Sequence, residues 1–341
     1  MRIAIFSTKS YDRTFLERAN AGFGHDLVFF EPKLDATTTR LAEGFPAICA
    51  FVNDVLDAEV LRRLAAGGTR IVALRAAGYN NVDLDVAAEL GLAVVRVPAY
   101  SPHAVAEFSV GLLLALDRRI PRAWGRVREN NFSLDGLIGH DLFDKTVGVI
   151  GTGRIGALVA RAMRAGFGCT VLAHDRYESA ELKALGVVYT DVDDLVARSD
   201  VISLHCPLTP ETRHVIDAAA IARAKPGFLL VNTSRGALID AEALVAGLKS
   251  GKVGGVALDV YEQEADLFFE DLSNEIIQDD VFQRLLTFPN VLITGHQAFF
   301  TEEALTAIAE TTLGNVAEEE AGRVSANRVS AATGVVPGRR G

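Results

Sequence analysis

A chain of 341 residues is long enough for two domains with a core each. Its 49% hydrophobic and 23% charged residues are ordinary for a globular protein, and a net charge of −10 with a pI near 5.3 argues against a nucleic-acid or anionic-membrane surface. Three scattered cysteines and seven histidines show neither a disulfide framework nor metal-ligand spacing, so a reduced, soluble, cytoplasmic protein without a metal is expected.

The opening "MRIAIFSTKS" is too short and polar for a signal peptide and reads as a first strand. The strand candidates "RIAIFS", "DLVFFE", "AICAFV", "RIVALR" and "LAVVRV" follow one another in the first hundred residues. Helical patterns separate them, as in "DAEVLRRLAAGG", where Val60, Leu61 and Leu64 share a face. Next comes the long helical stretch "SPHAVAEFSVGLLLALDRRIP", with Ser101 as N-cap, Pro102 in the first turn and Pro121 beyond the end. Its apolar run is far shorter than the ~20 residues of a membrane helix. A second series of strands follows: "TVGVIG", "CTVLAHD", "VISLHC", "FLLVNTS", "GVALDV" and "VLITGH". Strands apolar throughout and spaced by helices form parallel sheets covered on both faces. The fold class is therefore α/β with two doubly wound domains. A last helix, "TEEALTAIAETTLGNVAEEEAG", is long enough to return to the first domain.

"KTVGVIGTGRIGALVARAM" places Gly151, Gly153 and Gly156 between a strand and a helix. In that context the first glycine permits the tight turn, the second admits a pyrophosphate and the third lets helix and strand pack closely. The helix N-terminus offers free N–H groups to the anion. Asp175 ends the next strand, 19 residues after Gly156, where an acid accepts hydrogen bonds from the adenosine ribose. An acid there favours NAD over NADP, although Arg176 beside it could partly offset the charge, so NADP use is left open.

Arg235 follows a buried strand, Asp259 ends the next, Glu264 lies five residues further, and His296 ends the last. Ligands bind beyond the carboxyl ends of such strands. A 2-keto acid needs its carboxylate clamped and a proton delivered to its carbonyl oxygen as hydride arrives. Arg235 has the planar fork of donors for the first task, and His296, supported by Glu264, suits the second. Each residue taken singly also has a plain structural reading, as a surface ion pair, a solvated acid or a hydrogen-bonded histidine.

The segments "GTGRIG", "SLHCPLTPETRHVI", "VNTSRGALID", "ALDVYEQEADLFFED" and "TGHQAF" resemble the D-isomer-specific 2-hydroxyacid dehydrogenases over nearly the whole chain. The resemblance implies a discontinuous, flavodoxin-like substrate domain of residues 1–100 and 299–335, a Rossmann NAD domain of residues 101–298, and a frayed tail at 336–341. It implies a catalytic set of Arg235, Glu264 and His296. It also implies cofactor contacts from Gly151, Gly153, Arg154, Ile155, Gly156, Asp175, Cys206, Pro207, Thr212, Thr233 and Asp259, the last at the nicotinamide carboxamide. His205 is either part of the site or a packing residue.

"VPAYSPHAVAEF", "TGHQAF" and the insertion "FFEDLSNEIIQDDVFQRL" resemble the lactate branch of that family, in its bacterial fermentative form. That branch implies Tyr100 at the substrate carboxylate, Phe299 near the substrate methyl, Phe51 limiting substrate bulk, and the amides of Ala77, Gly78 and Tyr79 facing the carboxylate. Arg75, just before this loop, either pairs with an acid or modulates substrate charge. The expected reaction is reversible reduction of pyruvate to D-lactate by NADH. The alternatives are the same chemistry on a bulkier 2-keto acid such as phenylpyruvate, and an NAD-sensing protein of the corepressor type. The expected partners are a small 2-keto or 2-hydroxy acid and further copies of the chain, as a homodimer or homotetramer joined through Pro102–Ile120 and residues 121–145, with no nucleic acid and no membrane.

Overall fold

The computed structural model describes residues 1–264 and 267–329, so the expected frayed tail lies outside the described residues. The chain divides into two compact units, one of Met1–Ser101 with the chain from Phe300 onward, the other of Pro102–Phe299. Among the described residues, no helix is long and apolar enough to cross a membrane.

The first unit holds β1 (Arg2–Ile5), β2 (Asp26–Phe29), β3 (Ala47–Ala50), β4 (Ile71–Leu74) and β5 (Ala93–Val95) in the spatial order β2-β1-β3-β4-β5. These pair in parallel, and the short strand Arg328–Val329 adds an antiparallel edge beside β5. This is the flavodoxin-like order, whose switch point lies between β1 and β3. Alternate residues of the strands feed two cores. Ala4, Ile48, Val72 and Val94 face one side, while Ile3, Ile5, Cys49 and Ala73 face the other, under the helices Ser10–Asn20 and Glu302–Glu320. The helix Ala58–Ala66 starts on Asp57, whose side chain accepts from the Val60 N–H, and it buries Val60, Leu61 and Leu64.

The second unit holds β6 (Thr146–Ile150), β7 (Thr170–His174), β8 (Val188–Tyr189), β9 (Val201–Leu204), β10 (Phe228–Asn232), β11 (Val253–Leu258) and β12 (Val291–Ile293). Their order is β8-β7-β6-β9-β10-β11-β12, all parallel, which is the Rossmann order with one strand more. The direction of winding changes between β6 and β9.

The crossover stretch differs from expectation. Its first helix is Pro102–Asp117, not a helix running to Ile120, and Arg119 takes a left-handed φ of 53°. A second helix, Ile120–Arg128, then begins with Pro121 in its first turn. Proline has no N–H to lose there, so Pro121, beyond the end of the first helix as expected, also sits in the first turn of the next.

Candidate active site

The turn after β6 is shaped by what would collide. Gly151 has φ +92°, and a Cβ there would lie 2.5 Å from the Cys206 nitrogen. At Gly156 a Cβ would come within 1.9 Å of the Gly151 carbonyl oxygen. A Cβ at Gly153 would meet nothing within 4 Å, so the backbone there borders open space. The first helical bond of Arg154–Arg161 runs from the Ala157 N–H to the Gly153 carbonyl. The amides of Arg154, Ile155 and Gly156 therefore precede the ladder and remain available to an anion. Asp175 is fixed by two amides, accepting at Oδ2 from Thr152 (2.6 Å) and at Oδ1 from Tyr177 (2.9 Å). Arg176 pairs with Glu211 at 3.4 Å.

Across the switch point the loops after β9 and β10 are tied down by their own side chains. The Thr212 hydroxyl donates to the Pro207 carbonyl at 2.6 Å, and the Ser234 hydroxyl donates to the Cys206 carbonyl at 2.7 Å. The Thr233 hydroxyl lies 2.7 Å from that of Ser109. Burial pushes the Cys206 thiol up to about 11, so it stays protonated and unreactive. Burial also pushes His205 down to about 4, and its Nε2 lies 2.8 Å from the Ser203 hydroxyl.

The registers Asn232↔Leu258 and Leu258↔Ile293 bring the carboxyl ends of β10, β11 and β12 level. Arg235, Asp259 with Glu264, and His296 project from these three neighbouring ends. Arg235 is half-buried, and its guanidinium donates from Nη1 to the Ser234 carbonyl at 2.6 Å. Among the described residues, no carboxylate pairs with it. The Glu264 Oε1 lies 2.7 Å from the His296 Nδ1. A carboxylate only accepts, so Nδ1 carries the hydrogen and Nε2 is left for chemistry.

His296 adopts φ +54°, unusual for a non-glycine residue. Asp259 organises that turn. Its Oδ1 accepts from the Thr294 hydroxyl (2.6 Å) and the Gln297 N–H (2.9 Å), its Oδ2 from the Ala298 N–H (2.8 Å), and its carbonyl from the His296 N–H (2.8 Å). Burial nonetheless pushes the Asp259 carboxyl up. Two aromatic rings flank the imidazole, Phe299 edge-on with centroids 6.5 Å apart and Phe269 tilted at 5.7 Å. The sequence reading missed Phe269; its one signal was an apolar pair inside an acidic loop.

The first unit brings its own candidates to the carboxyl edge of its sheet. Phe51 follows β3, the loop Ala77–Tyr79 follows β4, and Tyr100 follows β5. Among the described residues, nothing accepts from the amides of Ala77 and Gly78, while the Ala77 carbonyl accepts from Arg96 Nη1 at 2.7 Å. The Arg96 guanidinium also lies over the Tyr79 ring, 5.2 Å from its centroid. Arg75, 2% exposed, donates from Nε to Asp12 (3.1 Å) and from Nη2 to the Ser7 carbonyl (2.8 Å), and it lies 4.7 Å from the Phe51 ring centroid. Of the two readings left open for Arg75, it is the pairing with an acid that the geometry displays.

Residues 110–298 match the model of the D-isomer specific 2-hydroxyacid dehydrogenase NAD binding domain. The D-lactate dehydrogenase of Escherichia coli K12 is 53% identical over 96% of this chain and 100% of its own. The chain belongs to the D-isomer-specific 2-hydroxyacid dehydrogenase family. An apo-structure of D-lactate dehydrogenase from Escherichia coli superposes with a TM-score of 0.88 at 50% identity, covering 96% of this chain and 100% of that one. A D-lactate dehydrogenase from Aquifex aeolicus complexed with NAD and lactic acid superposes at 0.85 with 34% identity, covering 96% and 98%. As a member of this family the protein is an NAD-dependent oxidoreductase. The open backbone at Gly153, the available helix amides and the anchored Asp175 fit the dinucleotide.

Proposed function

We propose that this dehydrogenase reduces pyruvate to D-lactate and catalyses the reverse reaction. The observation that carries the reading is a half-buried Arg235 with no acidic partner among the described residues, on the same sheet edge as a histidine whose Nδ1 is already committed to a glutamate. Arginines removed from water are ordinarily paired, so this one is built to receive an anion. A substrate carboxylate meets that need, and the planar fork orients it.

The glycine turn with the Arg154 and Ile155 amides would hold the pyrophosphate, and Asp175 the ribose hydroxyls. Cys206, Pro207, Thr212, Thr233 and Asp259 would line the remaining cofactor path. NAD is preferred because a 2′-phosphate would meet the Asp175 carboxylate, while Arg176 is engaged by Glu211. When bound, the reduced cofactor supplies the hydride to the carbonyl carbon.

The protein's residues do the rest. Arg235, with the Ala77, Gly78 and Tyr79 amides and Tyr100, anchors the carboxylate. His296 in its charged form gives the Nε2 proton to the carbonyl oxygen, so the alcohol forms without a free alkoxide. Glu264 keeps accepting from Nδ1–H throughout, holding one ring orientation for both directions. Phe299 and Phe51 take the methyl side of the substrate.

The test is NADH oxidation with pyruvate and with phenylpyruvate, for wild type and His296→Ala, with chiral analysis of the product. Fast pyruvate turnover that gives D-lactate and falls in the variant by roughly 10²–10⁴-fold, the worth of positioned acid catalysis, is expected. A preference for phenylpyruvate would reassign the substrate. Absence of turnover with NADH still bound would reject the enzyme reading in favour of nucleotide sensing.

A further inference from the structure

The segment after Glu264 carries a feature that the reaction as described leaves unused. The Glu264 carbonyl accepts from the N–H groups of both Leu267 and Phe268, each at 2.9 Å. Phe268 then does the work of a core residue: it is 6% exposed and packs on Phe282 with centroids 6.0 Å apart. Phe269 differs from it. It is only partly buried, its φ is +70°, and its ring lies 5.7 Å from the His296 imidazole at an interplanar angle of 38°. A bulky side chain takes a left-handed backbone only where its surroundings impose it, and such positions cluster at functional sites.

The imidazole needs something of this kind. The bond from Nδ1 to Glu264 fixes one atom of the ring, yet leaves it free to swing about that contact. The Phe299 ring stands at 80° to the imidazole with centroids 6.5 Å apart. Phe269 lies five positions after Glu264 in the chain, and both stand beside the imidazole. An apolar ring here also lowers the local dielectric, which strengthens the hydrogen bond beside it.

We propose that Phe269 is a positioning residue for His296, its ring holding the imidazole so that Nε2 faces the substrate and keeping water off the Glu264–His296 hydrogen bond. The inference rests on His296 being the proton donor of the proposed reaction.

The strained φ supplies a test that separates positioning from mere packing. Glycine at 269 removes the ring and relieves the backbone, so Phe269→Gly is expected to melt no lower than wild type. Its kcat with NADH and pyruvate is expected to fall roughly ten- to hundredfold, the scale of an ångström-size misplacement, with both KM values changed by less than about twofold. Phe269→Tyr, which keeps the ring, should restore kcat, and Phe269→Leu should not. In proton NMR of the protein without cofactor, the Nδ1–H resonance of His296 should be visible in wild type and broadened by water exchange in the glycine variant. A Phe269→Gly enzyme with wild-type kcat, or a leucine variant equal to the tyrosine variant, overturns the inference while His296 keeps its role. Full turnover in His296→Ala overturns the reading beneath it and the inference together.

Discussion

Arg235 donates one N–H to the carbonyl of its own neighbour, and in the proposed reaction its remaining donors hold the substrate carboxylate. A lysine would keep the charge but lose the fork, so Arg235→Lys isolates geometry from charge. Loss of one charge-assisted hydrogen bond costs about 1.5–3 kcal/mol, and kcat/KM for pyruvate is expected to drop roughly ten- to hundredfold, mostly through KM. NADH affinity, followed by fluorescence, should stay at the wild-type value. An unchanged KM would mean that no carboxylate is held there. At this scale the sequence was only partly readable. The fork of donors at a strand end was visible, but whether an acid would quench it was not, because partners come from afar. Arg75 shows the same limit: its partner Asp12 lies 63 positions away, and nothing local to "ALRAAG" announces it.

Between elements, the close approach of two loops matters more than any single contact. A Cβ on Gly236 would lie 2.0 Å from the Tyr261 carbonyl carbon and 2.2 Å from the Glu262 nitrogen, both backbone atoms. Gly236 follows Arg235, and Tyr261 donates its N–H to Glu264 Oε2 at 2.9 Å, so one crossing sets the spacing of the clamp and of the histidine's partner. Gly236→Ala must drive the two loops apart. The expected cost is that of overpacking, about 1–3 kcal/mol, or a melting temperature lower by roughly 2–12 °C. The kcat/KM is expected to fall about 10²-fold or more. A calorimetric scan beside steady-state kinetics checks both; an active, equally stable variant would refute the shared spacing. The strands that carry these loops were legible because burial on both faces leaves a run of apolar residues. The two-residue strands Val188–Tyr189 and Arg328–Val329 were not, since each is too short to show a period. The left-handed backbones at His296 and Phe269 were equally hidden, because tertiary packing imposes them against local preference.

Across the whole molecule, the second unit leaves an apolar arm uncovered. Trp124 is 64% exposed, Phe132 71% and Ile138 87%, with Ile120, Val127, Leu134 and Phe143 also exposed along residues 120–143. Apolar residues gathered in this way mark an interaction surface, and we infer that a second copy of the chain covers it. Light scattering at micromolar concentration is expected to give a dimer or a multiple of it, and Trp124→Glu combined with Ile138→Glu a monomer. Trp124 is the chain's single tryptophan, so dilution should shift its emission to the red as the arm is uncovered. A monomer with a concentration-independent spectrum would overturn the inference. The return of the helix Glu302–Glu320 to the first sheet has a consequence for how the protein is made. Ile3, Ile5, Ala73 and Val95 share a core with Ala309, Leu313 and Val316 of that helix. On a ribosome adding about 5–20 residues per second, the roughly 200 residues from Ser101 to Glu302 take about 10–40 s. For that interval the first sheet lacks its edge strand Arg328–Val329 and one of the two helices over this face, with Leu16 of Ser10–Asn20 as its cover there, while Pro102–Phe299 is being completed. The portion translated first is thus the last to close.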